Sequence, residues 1–141
     1  MEKAELYHVP VWLPEDHVVA EKMDPQSPRR VVTRLGESEC GFDIGPKTAA
    51  KYSEILSQAK TIFWNGPMGV FEMAPFAEGT MAVARAIADS GAETVVGGGE
   101  SVAAIHKSGV AARIAHLSTG GGATLEYLEG KPLPGLKALM E

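Results

Sequence analysis

The chain has 141 residues, 45% of them hydrophobic, which is enough for one domain with a core of ordinary size. Its formal net charge of −5 and its lack of a Lys/Arg cluster argue against a nucleic-acid surface. Cys40 is the only cysteine. No apolar run approaches the roughly 20 residues of a membrane span, and no signal peptide is recognisable. We therefore expect a cytoplasmic protein without membrane contact.

The first third of the chain carries short strand signals separated by polar loops. Alternating and β-branched residues over 6–19 predict two short strand pieces around a turn at Pro14. Val31–Arg34 predicts another short strand. Residues 20–28 and 36–41 are polar or rich in Gly and Pro and are therefore predicted as loops.

Helices and strands then alternate along the rest of the chain. The sequence predicts three helices, over 47–59, over 79–89 and from Val102 to near Gly109, and three strands, over 61–65, 94–96 and 113–117. This alternation is typical of βαβ units, so the predicted fold class is α/β, a Rossmann-like parallel sheet with helices on both faces. The loops after Asn65, Val96 and Ser118 would line one crevice at the carboxyl edge of the sheet.

Two glycine runs, Gly97–Gly99 and Gly120–Gly122, each lie between a predicted strand and a helix-like segment. Such turns direct backbone N–H groups at an anion, and two of them at one sheet edge favour a polyphosphate site. Neither run matches the P-loop or the GxGxxG pattern. Tight packing of a turn without a ligand is the alternative for each run.

Carboxylates follow two of these loops. Glu100 and Ser101 come after the first glycine run, where Ser101 would be a helix N-cap and Glu100 would favour the helix dipole. Alternatively, Glu100 binds Mg²⁺ that also contacts phosphate oxygens, and both roles can hold together. Asn65 and Glu72 flank an apolar loop suited to a base and a ribose, with Glu72 either accepting from ribose hydroxyls or simply solvated.

Four segments resemble the phosphoglycerate kinase family: DIGPKT from Asp43, WNGPMGVFE from Trp64, VVGGGES from Val95 and STGGGATLEYLEGKPLPG from Ser118. Their order and separations fit that family from about residue 6 to the end. The resemblance implies a two-lobed glycolytic phosphotransferase with a carboxyl group as acceptor. It would transfer a phosphoryl group between 1,3-bisphosphoglycerate and ADP, giving 3-phosphoglycerate and ATP, with Mg-nucleotide bound to the C-terminal lobe.

The resemblance also implies roles for single residues. The nucleotide pocket would be lined by Asn65, Pro67, Gly69 and Val70, with Glu72 at the ribose. The phosphates and the metal would contact Gly98, Gly99, Glu100 and Ser101. The N–H groups that receive the transferring phosphoryl group would be those of Gly120, Gly121 and Gly122. Glu100 departs from the Asp usual in the family, so its longer side chain would displace the metal outward or require the loop to shift.

We expect residues 1–141 to be a single partial nucleotide-binding domain. By resemblance, the N-terminal lobe and the first βα units of the C-terminal lobe are absent, together with the lysines that neutralise phosphate charge, while the last residues resemble the family's C-terminus. The chain alone should not turn over, because both substrates must be aligned in one cleft. The alternative is a non-catalytic module that self-associates, or complements a separate N-terminal lobe, through an exposed sheet edge.

Overall fold

The computed structural model describes residues 1–37 and 39–140, and its first part contains little regular structure. Helix α1 spans Glu2–Leu6, and residues 7–16 belong to no helix or strand. The strand predicted before Pro14 is therefore wrong. Pro10 and Pro14 lack the N–H group that a sheet ladder needs, and the apolar side chains between them remain exposed.

A three-stranded antiparallel sheet follows, with the order β2-β1-β3. Its strands are β1 His17–Ala20, β2 Arg29–Val32 and β3 Cys40–Ile44. The second predicted strand piece, at Val18 and Val19, is confirmed, whereas β2 begins two residues earlier than predicted. Strand β3 was not predicted, because Gly41 and Asp43 have low strand propensity and hide the signal of their buried neighbours.

Helix α2 spans Pro46–Ser57 and begins where a distant side chain caps it. Asp16 accepts hydrogen bonds from the backbone N–H groups of Lys47 (3.0 Å) and Thr48 (2.8 Å) and from the Thr48 hydroxyl (2.6 Å). Pro46 in the first turn has no N–H to satisfy. The helix therefore starts one residue before the predicted 47–59 and ends two residues earlier.

The second half of the chain forms a parallel sheet with the order β4-β5-β6. Its strands are β4 Thr61–Asn65, β5 Glu93–Gly97 and β6 His116–Ser118, and its crossover helices are α3 Glu78–Asp89 and α4 Gly99–Ser108. The predicted α/β class and the two βαβ units are confirmed. Strand β6 begins three residues later than predicted, because Ala111–Arg113 form a 3₁₀ turn; a second such turn, Ala74–Phe76, precedes α3.

Two short helices end the chain: α5 Gly121–Leu128 follows β6, and α6 Pro134–Met140 follows it. Helix α6 was not predicted, because Pro132 and Pro134 gave this segment a loop-like sequence. Throughout the described ranges, the helices lack the length and apolar character required to cross a membrane.

The main hydrophobic core lies between the parallel sheet and helices α2 to α4. Its fully or nearly buried side chains include Ile62, Trp64, Val83, Ile87, Val96 and Ile105. A smaller cluster joins the antiparallel sheet to the segment before α3, where the rings of Phe42 and Phe76 lie 5.0 Å apart. Trp64 is a core residue, whereas its neighbour Phe63 is half-buried. These two clusters fix the strand ends from which the candidate site is built.

Candidate functional site

Three loops meet at the carboxyl edge of the parallel sheet. Asn65 is aligned with Gly97, and Gly97 with Ser118, so β4, β5 and β6 end side by side. The Asn65 side-chain amide donates to the Gly97 carbonyl (3.0 Å). The Gly98 N–H donates to the Ser118 carbonyl (2.9 Å). The three loops predicted to line one crevice are therefore joined to one another by hydrogen bonds.

The two glycine turns contact each other. A Cβ atom built on Gly121 would lie 2.9 Å from the Gly98 Cα and 3.3 Å from the Asn65 amide nitrogen. Gly98 also has a φ of +95°, a conformation that L side chains rarely adopt. Glycine at both positions is explained by this close backbone approach, which leaves the two helix N-termini of α4 and α5 adjacent.

The prediction that Ser101 caps α4 is wrong. The helix begins at Gly99 with Gly98 as N-cap, so Ser101 lies within the first turn. Its side chain is buried, and its hydroxyl accepts a hydrogen bond from the Gly66 N–H (2.7 Å). Ser101 thus attaches the loop after β4 to the first turn of α4.

Glu100 is exposed in the first turn of α4, beside the N-terminal N–H groups. A carboxylate there is stabilised by the helix dipole. Among the described residues, no group of three or more His, Cys, Asp or Glu side chains could hold a metal ion. One exposed carboxylate beside two adjacent helix N-termini could contribute to a Mg²⁺ site completed by phosphates, since protein sites for that ion commonly use one or two carboxylates.

Two N–H groups of the second glycine turn already form hydrogen bonds to the residues just before it. The Gly120 N–H donates to the Ser118 hydroxyl (3.3 Å), and the Gly121 N–H donates to the Thr119 carbonyl (3.1 Å). Gly122 is exposed in the first turn of α5. An anion held by all three predicted N–H groups would require those two internal hydrogen bonds to be released.

The loop 66–72 is fixed by groups that the sequence reading missed. The Thr80 hydroxyl accepts from the N–H groups of Met68 and Gly69 (both 3.1 Å). The Val70 N–H donates to the Phe42 carbonyl (2.8 Å). A Cβ on Gly69 would lie 2.5 Å from that same carbonyl oxygen, so only glycine allows the loop to pack this closely on β3.

An open cavity of about 360 Å³ lies between this loop and the antiparallel sheet. It brings together three of the predicted nucleotide-pocket residues, Pro67, Gly69 and Val70, but its lining does not include Asn65 or Glu72. The other lining side chains are mainly apolar, and Leu35, Phe42, Ile44 and Met68 are among them. Neither this cavity nor a larger one of about 570 Å³ is lined by a residue of either glycine turn. The mainly apolar lining of the smaller cavity is the composition expected of a slot for a flat apolar group.

Asp43 links β3 to the start of α3 beneath this loop. Its buried carboxylate accepts from the N–H groups of Gly79 (2.7 Å) and Ile44 (2.9 Å). Burial raises the pKa of Asp43 to about 6; nearby Glu78 adds to the rise, and the two hydrogen bonds oppose it. Asp43 is thus a structural carboxylate that supports Gly69 from below.

Lys107, in the last turn of α4, contacts the far end of the same loop. Its ammonium group donates to the carbonyls of Phe71 (2.7 Å) and Glu72 (3.1 Å). The Phe71 side chain is buried, whereas Glu72 is exposed. No spacing or motif in the sequence pointed to Lys107, because its partners are backbone atoms 35 and 36 positions away.

Comparison with known families gives one result for nearly the whole chain. The family model described as phosphoglycerate kinase matches residues 1–131. Phosphoglycerate kinase of Leptospira biflexa is 49% identical over 142 residues, covering 99% of this chain and 36% of the relative. That of Desulfosudis oleivorans is 56% identical over 133 residues, covering 93% of this chain and 34% of the relative.

Solved structures agree with the sequence relatives. The phosphoglycerate kinase structure from Coxiella burnetii superposes with a TM-score of 0.89 at 43% identity, covering 96% of this chain and 36% of that one. The structure from Pyrococcus horikoshii gives a TM-score of 0.83 at 43% identity, covering 99% and 35%. The chain thus spans about a third of the length of the curated relatives it matches.

Proposed function

This chain belongs to the phosphoglycerate kinase family, and on that premise we propose that it binds Mg-ADP and Mg-ATP at the carboxyl edge of its parallel sheet. The observation that carries the proposal is the contact between Gly98 and Gly121, which brings two helix N-termini together. Adjacent N-termini offer N–H donors and positive dipole ends to more than one phosphate of the same ligand.

The proposed roles follow the elements. The cavity at Pro67, Gly69 and Val70 would accept the base, with Glu72 at the ribose and Asn65 beside the phosphates. Gly98, Gly99 and the first turn of α4, held by Ser101, would bind the inner phosphates. Gly120, Gly121 and Gly122 would receive the transferring phosphoryl group once the internal hydrogen bonds of that turn open.

Glu100 would hold the magnesium ion, which when bound neutralises charge on the phosphate oxygens. The chain's own contribution is then geometric. Both turns present backbone N–H groups whose positions are set by strand ends and not by flexible side chains. Positioning and charge stabilisation of this kind are the main protein contributions to phosphoryl transfer.

We further propose that the site serves phosphoryl transfer between 1,3-bisphosphoglycerate and ADP, the reaction that gives 3-phosphoglycerate and ATP in glycolysis. The fragment of the enzyme represented here carries the nucleotide side of that reaction. By itself it would be inactive, because the acyl phosphate must be held in line with the nucleotide by groups outside the described fold. A cytoplasmic location fits this role.

A calorimetric titration with ADP, with and without Mg²⁺, tests the binding. We expect saturable binding that is stronger with Mg²⁺, and a loss of about tenfold in Glu100→Gln, the scale of one charge-assisted contact. Glu93→Gln is the matched control, since Glu93 is an exposed carboxylate at the opposite end of β5. Equal affinity of Glu100→Gln and Glu93→Gln for ADP in the presence of Mg²⁺ would show that Glu100 does not bind the metal. Absence of ADP binding by the folded wild-type chain would contradict the proposal.

A second candidate function is that of an interaction module. In the part of the chain that the structure describes, β4 is paired with β5 alone, so one side of β4 is an open sheet edge. Exposed apolar side chains near the N-terminus, including Leu6, Tyr7 and Leu13, add to the surface available for association. A second copy, or a separately supplied N-terminal lobe, would pair with this edge.

A further inference from the structure

The loop 66–72 is attached to helix α4 at both of its ends. At the first turn of the helix, the Ser101 hydroxyl accepts from the Gly66 N–H (2.7 Å). At the last turn, the Lys107 ammonium donates to the carbonyls of Phe71 (2.7 Å) and Glu72 (3.1 Å). Six residues of α-helix separate these attachments, a rise of about 9 Å. The loop is therefore attached to α4 at two points whose spacing along the helix is fixed.

We propose that Lys107 is a positioning residue for the nucleotide site. It holds Glu72 at a fixed distance from Glu100 and the first glycine turn, so that a ribose and the phosphates of one ligand can be contacted together. The inference rests on the proposed nucleotide binding and adds to it a residue that touches no ligand. Lys107 acts through the backbone of Glu72, not through its carboxylate.

The arrangement explains why an ammonium group occupies this position. Two carbonyl oxygens converge on one point, and a lysine with three donors on a flexible stem can satisfy both. The ammonium also lies 5.8 Å from the centre of the Phe71 ring, whose side chain is anchored in the core. The Glu72 side chain is exposed, so this end of the loop is positioned by the buried Phe71 ring together with the backbone contacts of Lys107.

The test compares two ligands in the presence of Mg²⁺: ADP, which has a ribose, and pyrophosphate, which has none. Lys107→Met keeps the apolar stem and removes the donors, and we expect it to weaken ADP binding about tenfold while leaving pyrophosphate binding within about twofold. Lys107→Arg should recover part of the ADP affinity, because it keeps donors and charge. Lys60→Met is the control, since Lys60 is exposed before β4, at the opposite end of the sheet.

Amide hydrogen exchange without ligand gives a second measurement. The N–H groups of Phe71 and Met73 donate to carbonyls within the loop, and we expect them to exchange about tenfold faster in Lys107→Met, while Val83 in α3 is unchanged. Unchanged loop exchange, or equal loss of both ligands, would overturn the role of Lys107. A wild-type chain that binds neither ligand would overturn the proposed function itself and this role with it, whereas normal wild-type binding with an unaffected variant would overturn the role alone.

Discussion

Asp16 and Asp43 are both buried carboxylates, yet their pKa values are shifted in opposite directions. Burial raises the pKa of Asp16, but the hydrogen bonds from Thr48 and Lys47 outweigh it, and the net pKa lies below the ordinary value. For Asp43, burial prevails over two backbone hydrogen bonds, and the pKa rises to about 6. The balance between burial and hydrogen-bond donation decides which form of each carboxylate the fold prefers.

The raised pKa of Asp43 makes stability depend on pH. Between 3.8 and about 6 the folded state binds the proton more tightly than the unfolded state, so the free energy of unfolding should fall as the pH rises through this window. A shift of this size corresponds to about 3 kcal/mol. Urea unfolding of the wild-type chain and of Asp43→Asn at several pH values measures the difference.

In Asp43→Asn this fall in the free energy of unfolding with rising pH should disappear, because the amide does not titrate. Asp16→Asn is the matched control: the contribution of Asp16 is present above its ordinary pKa and is lost as the pH falls, so its removal changes the acid side of the profile. Identical slopes between pH 4 and 6 in the wild-type chain and Asp43→Asn would show that burial of Asp43 does not set the profile.

At the scale of the elements, the contact between the two glycine turns is a packing constraint. A Cβ on Gly121 would meet backbone atoms of Gly98, whereas a Cβ on Gly122 would meet nothing within 4 Å. We therefore expect Gly121→Ala to lower the free energy of unfolding by about 1–3 kcal/mol, the usual range for overpacking. Gly122→Ala should leave it unchanged or raise it slightly, because alanine favours the helix.

Thermal and urea unfolding of Gly121→Ala and Gly122→Ala measure whether the close contact at Gly121 contributes to stability. The substitutions are one residue apart in the same helical turn, so they share propensity and differ in the atoms that the methyl group meets. Equal stability of the two variants would mean that the turns move apart at no cost. The two helix N-termini would then not be held adjacent.

The sequence predicted correctly those helices and strands that are determined by neighbouring residues. Strand Thr61–Asn65 has the predicted bounds, and Gly109 ends α4 in the left-handed conformation as its position indicated. The start of α2 could not be placed, because the capping carboxylate of Asp16 lies about 30 positions earlier. Strand β3 was missed for a similar reason: its register depends on pairing with β1 and not on its own alternation.

The same distinction holds for the candidate site. The glycine turns and the loop after Asn65 carry sequence signals, and the structure brings these backbone segments together. Thr80 and Lys107, which fix the loop, contact backbone atoms that leave no trace in a pattern of residue types. The role of Ser101 in joining loop to helix was also invisible, because a serine near a glycine turn is indistinguishable from an N-cap.

At the scale of the whole molecule, the open edge of β4 predicts association. The chain spans about a third of its curated relatives, and one side of β4 is unpaired among the described residues. We expect the mass measured by light scattering after size exclusion to rise with concentration, because exposed strand edges pair with other chains. A strict monomer at high concentration would contradict edge pairing and leave nucleotide binding as the only proposed activity.

The central claim is that Mg-ADP binds where the two glycine turns meet. The most direct measurement is an NMR titration that follows backbone amide signals of the glycines as Mg-ADP is added. We expect the largest shifts at Gly98 and Gly99, which would meet the two phosphates of ADP, and almost none at Gly36 and Gly135, which lie outside the site. Shifts confined to glycines away from the turns, or none at saturating ligand, would contradict the claim.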